Sequence, residues 1–133
     1  MSVIRKHHIS RAEIRLAPNV LFMFGDNMQR RGLGGQAAEM RGELNAVGVP
    51  TKWSPGITEA DYFTDMDLGN DQVRSRIDAA FGRVEHWLRI GNDVVIPTDD
   101  IGTGRAQLER RAPVLLRYIN DKIAELIELY STA

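Results

Sequence analysis

The sequence predicts an α/β fold of three layers, α/β/α, with a mixed, largely parallel sheet in the middle. Three observations lead there. Short apolar runs at 20–24 and 93–97 read as strands buried on both faces, and 46–52 reads as another strand. Two longer stretches, 71–90 and about 107–129, repeat their apolar residues every three or four positions, as amphipathic helices do. The two kinds of segment alternate along the chain, which favours crossover connections and parallel pairing.

In chain order, residues 4–9 form a short β-like stretch. Ser10-Arg11-Ala12-Glu13 has the Ser-x-x-Glu form of a capping box and opens a helical turn that Pro18-Asn19 ends. Val20-Leu21-Phe22-Met23-Phe24 is the first buried strand, followed directly by a glycine-rich loop. Residues 35–42 form a short helix, with Ala37, Ala38 and Met40 to pack on the sheet and Gly42 as its stop. The strand 46–52 leads into residues 53–69, which contain Pro55-Gly56 and show no period; a loop of that length is functional or disordered. The helix 71–90 carries Val73, Ile77, Ala80, Phe81, Val84, Trp87 and Leu88 on one face and stops at Gly91-Asn92. The strand 93–97 and a second glycine loop precede the last helix, whose apolar side runs from Leu108 to Ile127.

With 133 residues the chain is sized for one domain, taken as 1–133. Its apolar content of 43% and charged content of 26% are those of a soluble globular protein. No apolar stretch approaches the roughly 20 residues that span a bilayer, and the N-terminus has no apolar segment of signal type, so no membrane partner and a cytoplasmic location are expected. The chain has no cysteine, which removes disulfides and thiolate chemistry. A net charge of −1 argues against general nucleic-acid binding, although it leaves room for local basic patches.

The chemistry is concentrated in two loops, Phe24-Gly25-Asp26-Asn27-Met28-Gln29-Arg30-Arg31-Gly32-Leu33-Gly34-Gly35-Gln36-Ala37 and Ile96-Pro97-Thr98-Asp99-Asp100-Ile101-Gly102-Thr103-Gly104-Arg105-Ala106. Each joins a buried strand to a helix, where glycine lets the backbone approach a ligand and free N–H groups attract anions. A tight turn that uses glycine for geometry alone is the competing reading. The first loop lacks the Gly-Lys-Ser/Thr ending of a Walker loop and the spacing of the dinucleotide fingerprint.

Asn27, four intervening residues and Gly32-Leu33-Gly34-Gly35, with Gly102-Thr103-Gly104 after the later strand, resemble the paired loops of macro domains. The resemblance covers roughly residues 19–130, and the first motif is also similar to small proteins common in phages and bacteria. It implies a macro-like fold and an ADP-ribose-like nucleotide as the small-molecule partner. The implied phosphate contacts are Gly32, Gly34, Gly35, Gly102, Thr103 and Gly104. Asn27 and Asp26 would hold a ribose, with counter-charge from Arg30, Arg105 or Lys52. Two departures matter. Gln36-Ala37 stands where one hydrolytic class has an aspartate, and Ala106 stands where another branch has one. A hydrolase reading would therefore rely on Lys52 with Asp99 or Asp100.

Lys52 closes an apolar strand and either reaches solvent, neutralises a phosphate or serves as an amine nucleophile of lowered pKa. Asp99-Asp100 can act as general base or simply form a solvated turn or cap. No metal site is expected: His7 and His8 alternate faces of a strand, and His86 has no partner at helical spacing. No resident cofactor is implied. Trp53, Tyr62 and Phe63 either stack on a base or pack the long loop onto the domain. Three functions follow as expectations: a nucleotide-diphosphate binder, an ADP-ribosyl hydrolase, or a non-catalytic accessory or interaction protein. The sequence does not fix the oligomeric state.

Overall fold

The structure, a computed structural model, describes residues 2–98 and 101–130. Four strands form one sheet: β1 (Val3–Lys6), β2 (Leu21–Asn27), β3 (Ala46–Lys52) and β4 (Val94–Pro97), in spatial order β1-β4-β2-β3. Every pairing is parallel, so each connection is a crossover. The helices are α1 (Arg11–Leu16), α2 (Ala37–Met40), α3 (Asp71–Arg89), α4 (Leu108–Arg111) and α5 (Pro113–Tyr130).

Strand alternation sorts the core into two layers. Leu21 and Met23 of β2 and Val94 and Ile96 of β4 pack with α3 and α5 around Ile77, Phe81, Leu115 and Ile119. Phe22, Phe24 and Val95 turn to the other face, where Ile14 of α1 and Met40 of α2 cover them. The sheet is thus the middle of three layers, and the continuous apolar runs read as strands buried on both faces are so because both faces are covered. Among the described residues, no helix is long and apolar enough to cross a membrane.

The boundaries differ from expectation in three places. The predicted strand 4–9 ends at Lys6, and Ile9 is instead buried against the α1–α2 layer. The single last helix is broken into a 3₁₀ turn at Gly104–Ala106, then α4, then α5. The break falls at Ala112 (φ −149°, ψ 62°), because the residue before a proline is driven out of the helical region and Pro113 suits a first helical turn. Residues 53–69 are ordered by two 3₁₀ turns, Glu59–Asp61 and Asp65–Gly69, each opened by a Thr-x-x-Asp capping box, Thr58 with Asp61 and Thr64 with Asp67. Phe63 is fully buried and meets Trp53 edge-on at 5.2 Å, so this segment packs onto the domain.

Candidate functional site

β2 and β4 lie side by side, yet the chain leaves β2 toward α2 on one face and leaves β4 toward α4 and α5 on the other. Diverging loops at the carboxyl ends of adjacent parallel strands leave a crevice, the usual ligand position in open α/β sheets. Here it has two adjoining halves of about 460 and 490 Å³ that share Gly25, Gly34, Thr51, Arg105 and Ala106.

Gly25 forms the floor. A Cβ there would stand 3.7 Å from both Gly102 N and Thr51 Oγ1, so any larger side chain would occupy the space between the two loops. Thr51 is buried and donates to Asp26 O at 2.9 Å, locking the ends of β2 and β3 together. The loops themselves meet through Arg105, whose Nη1 lies 2.7 Å from the position of a Cβ on Gly34. Gly32 (φ 94°) and Gly102 (φ 99°) hold left-handed backbone that other residues rarely adopt. The N–H groups of Gly32, Leu33, Gly34 and Gly35 donate to no acceptor among the described residues, and these residues are exposed. Successive N–H groups left without a protein acceptor are available to an anion.

The first loop is held from below by Arg41. Its Nη2 and Nη1 reach Asp26 Oδ1 and Oδ2 at 2.5 and 3.2 Å, and its Nε donates to Gly32 O at 2.8 Å. Asp26, only 8% exposed in its side chain, also accepts from the N–H of Asn27 at 2.8 Å. Asn27 is turned into the loop: Nδ2 donates to Arg31 O at 2.7 Å and Oδ1 accepts from Gln29 N at 3.1 Å. Gln36 ties the same loop to the N-terminal segment through a reciprocal pair, Ile9 N to Oε1 at 3.0 Å and Nε2 to Ile9 O at 2.9 Å.

Charge in the first half is lopsided. Arg31, Arg41, Lys52 and Arg105 line it, against one carboxylate among the described residues, that of Asp26, which Arg41 already neutralises. Lys52 donates to Gly56 O at 2.6 Å and lies 4.4 Å from the centre of the Tyr62 ring. Burial pushes its amine below the ordinary lysine value, the Asp61 carboxylate opposes that, and the charges of Arg105 and Arg111 add to it. Arg111 covers the Tyr62 ring at 3.9 Å and pairs with Glu59 at 2.7 Å, which fastens the 53–69 segment to α4. Asp61 bonds Ser54 and Thr58, and those hydrogen bonds hold its carboxyl below the usual range.

The chain belongs to a family of unknown function, DUF7831. The match covers residues 4–122, which include both glycine loops, Lys52 and Arg41. No curated protein and no solved structure matches the chain.

Of the residues singled out from the sequence, Asp26, Asn27, Gly32, Gly34, Gly35, Lys52, Gly102, Thr103 and Arg105 all line the crevice. Gly104 lies beside them, opening the 3₁₀ turn that carries Arg105. Arg30 does not join them. In left-handed backbone at φ 56°, it lines a separate groove beside β3. Asp99 and Asp100 lie outside the described residues. His7 and His8 border the second half of the crevice, His7 Nδ1 standing 3.4 Å from Thr98 Oγ1. Among the described residues no three His, Asp or Glu side chains gather as a metal site. Sequence reasoning missed Gly25, Arg41 and Thr51. Gly25 and Thr51 were legible as the small and hydroxyl-bearing ends of their strands, whereas nothing in the spacing of Arg41 pointed to Asp26.

Proposed function

We propose that the protein binds a phosphate-bearing nucleotide of the ADP-ribose class in the crevice between its two glycine loops. The observation that carries this reading is the run of exposed, unpaired N–H groups at Gly32–Gly35 beside a crevice where, among the described lining residues, cations outnumber carboxylates. Backbone N–H groups hold the phosphates, and Arg105 and Lys52 supply counter-charge. Leu33 and Ile57, 69% and 86% exposed at the mouth, offer apolar surface of the kind a base covers. In this reading Asn27 and Asp26 shape the loop, since their polar atoms are already engaged within the protein.

A thermal-shift panel of ADP-ribose, NAD, ADP and inorganic phosphate tests the proposal, because a ligand that binds only the folded state raises its melting temperature. ADP-ribose is expected to give the largest shift. No shift with any nucleotide at millimolar concentration would sink the reading.

A second reading, an ADP-ribosyl hydrolase, is favoured by the depressed pKa of Lys52 at the wall of the same crevice. Mass analysis of ADP-ribosylated substrates after long incubation separates the two. Release of free ADP-ribose that Lys52→Met abolishes would support hydrolysis, and unchanged substrate would leave binding alone.

A further inference from the structure

Beside the crevice, along the outer edge of β3, runs a second depression of about 320 Å³. Ala79 and Ala80 of α3 and Gly48 of the strand are the small residues of its lining. Arg76 and Arg83 flank those alanines on α3, seven residues and therefore about 10 Å apart on one helix face. Arg30 stands at the crevice end. None of the three arginines pairs with a carboxylate among the described residues. From their side chains Arg76 gives one hydrogen bond, to Met28 O at 3.0 Å, Arg83 two, to Ala46 O and Leu44 O, and Arg30 none. Most of their guanidinium donors remain free for a ligand. The groove is continuous with the crevice, because Asp26 and Asn27 border both, and Asp26 is neutralised by Arg41.

We propose that this groove takes the phosphodiester backbone of a single nucleic-acid strand whose terminal nucleotide occupies the crevice. The inference rests on the nucleotide-binding reading above and names its ligand class: the end of a polynucleotide. The chemistry favours a strand of phosphates over a protein. A peptide adding to the sheet edge needs the outward N–H and C=O groups of β3, but the Ala46 carbonyl is taken by Arg83 and Pro50 has no N–H. Three separated guanidinium groups in a groove lined with small residues match repeating phosphates, and the groove lacks any aromatic platform, so contact is to the backbone and tolerant of sequence. The overall charge of −1 is compatible with this, since the positive charge is local.

The test measures binding of 5′-phosphorylated ten-nucleotide DNA and RNA strands by fluorescence anisotropy, with ADP-ribose titrated in parallel by calorimetry. The wild-type protein is expected to bind the strands more tightly than ADP-ribose, and ADP-ribose to compete with them. Arg76→Gln with Arg83→Gln is expected to weaken strand binding about tenfold or more and to lower the salt slope by about 1.4, at roughly 0.7 per phosphate contact, with ADP-ribose affinity unchanged. Arg30→Gln, which removes no hydrogen bond of the described fold, is expected to weaken strand binding even if the double variant does not fold. Strand affinity equal in wild type and variants would overturn the groove. So would ADP-ribose binding without strand binding, although the crevice reading would then survive. Polyglutamate binding as tight as the strands would assign the groove to an acidic protein instead. If neither ADP-ribose nor any strand binds, both readings fall.

Discussion

The guanidinium of Arg105 occupies the space in which a side chain on Gly34 would begin, with Nη1 2.7 Å from the position of that Cβ. The two glycine loops thus approach each other at an arginine that has no carboxylate partner among the described residues. Because the contact is with the far end of a flexible, exposed side chain, a residue at 34 can displace it at little cost to the fold.

Gly34→Glu is accordingly expected to keep the melting temperature within a few degrees of wild type while weakening nucleotide binding about tenfold or more, since a carboxylate beside Arg105 repels a phosphate. Calorimetric titration with ADP-ribose on the folded variant reads this. Undiminished affinity would move the site away from the first loop.

Arg41→Met is expected to destabilise the protein by about 2–3 kcal/mol, measured by urea unfolding, because it leaves Asp26 largely buried without its partner. The double change Arg41→Met with Asp26→Asn is expected to recover part of that loss. If the single change were neutral, Arg41 would not be what holds the loop.

Lys52 gives a pH dependence whose sign is fixed by burial. Its folded-state pKa lies below the ordinary 10.5 of the unfolded chain, so the folded state binds fewer protons in that window. The cost of burying the charged amine is present in full below the folded pKa and is relieved as pH rises toward 10.5, so this group's contribution to stability increases there. Anion binding runs the other way, falling as the amine loses its proton. Affinity measured between pH 7 and 10 is expected to drop earlier than an exposed lysine would allow. Lys52→Met should be weaker throughout and should flatten the component of the drop that titrates between the folded pKa and 10.5.

Gln36→Ala is expected to cost about 1–3 kcal/mol, since it strands the N–H and C=O of the buried Ile9. Hydrogen exchange at the Ile9 amide should accelerate with no comparable change at the amides of β2. Unaltered exchange would show that the N-terminal segment is held by other contacts.

Much of this fold is legible because it is local. The run Leu21-Phe22-Met23-Phe24 is apolar on both alternations because both sheet faces are covered, and α3 shows its buried side as Val73, Ile77, Ala80, Phe81 and Val84. The pairing of the two glycine loops is also written in their positions after strands that turn out to be neighbours. Arg41 is a different case: its partner lies fifteen residues away on another element, and only the tertiary fold brings them together. The order in residues 53–69 was present in Thr58-Glu59-Ala60-Asp61 and Thr64-Asp65-Met66-Asp67, two capping signals that carry no hydrophobic period. Pro113 likewise marked the break between α4 and α5, but the apolar spacing on either side of it continues without interruption.

β1 has a consequence for how the chain folds. Its partner in the sheet is β4, with Val3 in register with Val94 and Ser2 N bonded to the Asp93 carboxylate at 2.9 Å. Some ninety residues separate the two, so β1 can join the sheet only after β4 is in place, a non-local pairing of the kind that slows folding. Until β4 is in place, β2 and β3 can pair but the second glycine loop has no strand to carry it, so both walls of the crevice exist only in the complete sheet.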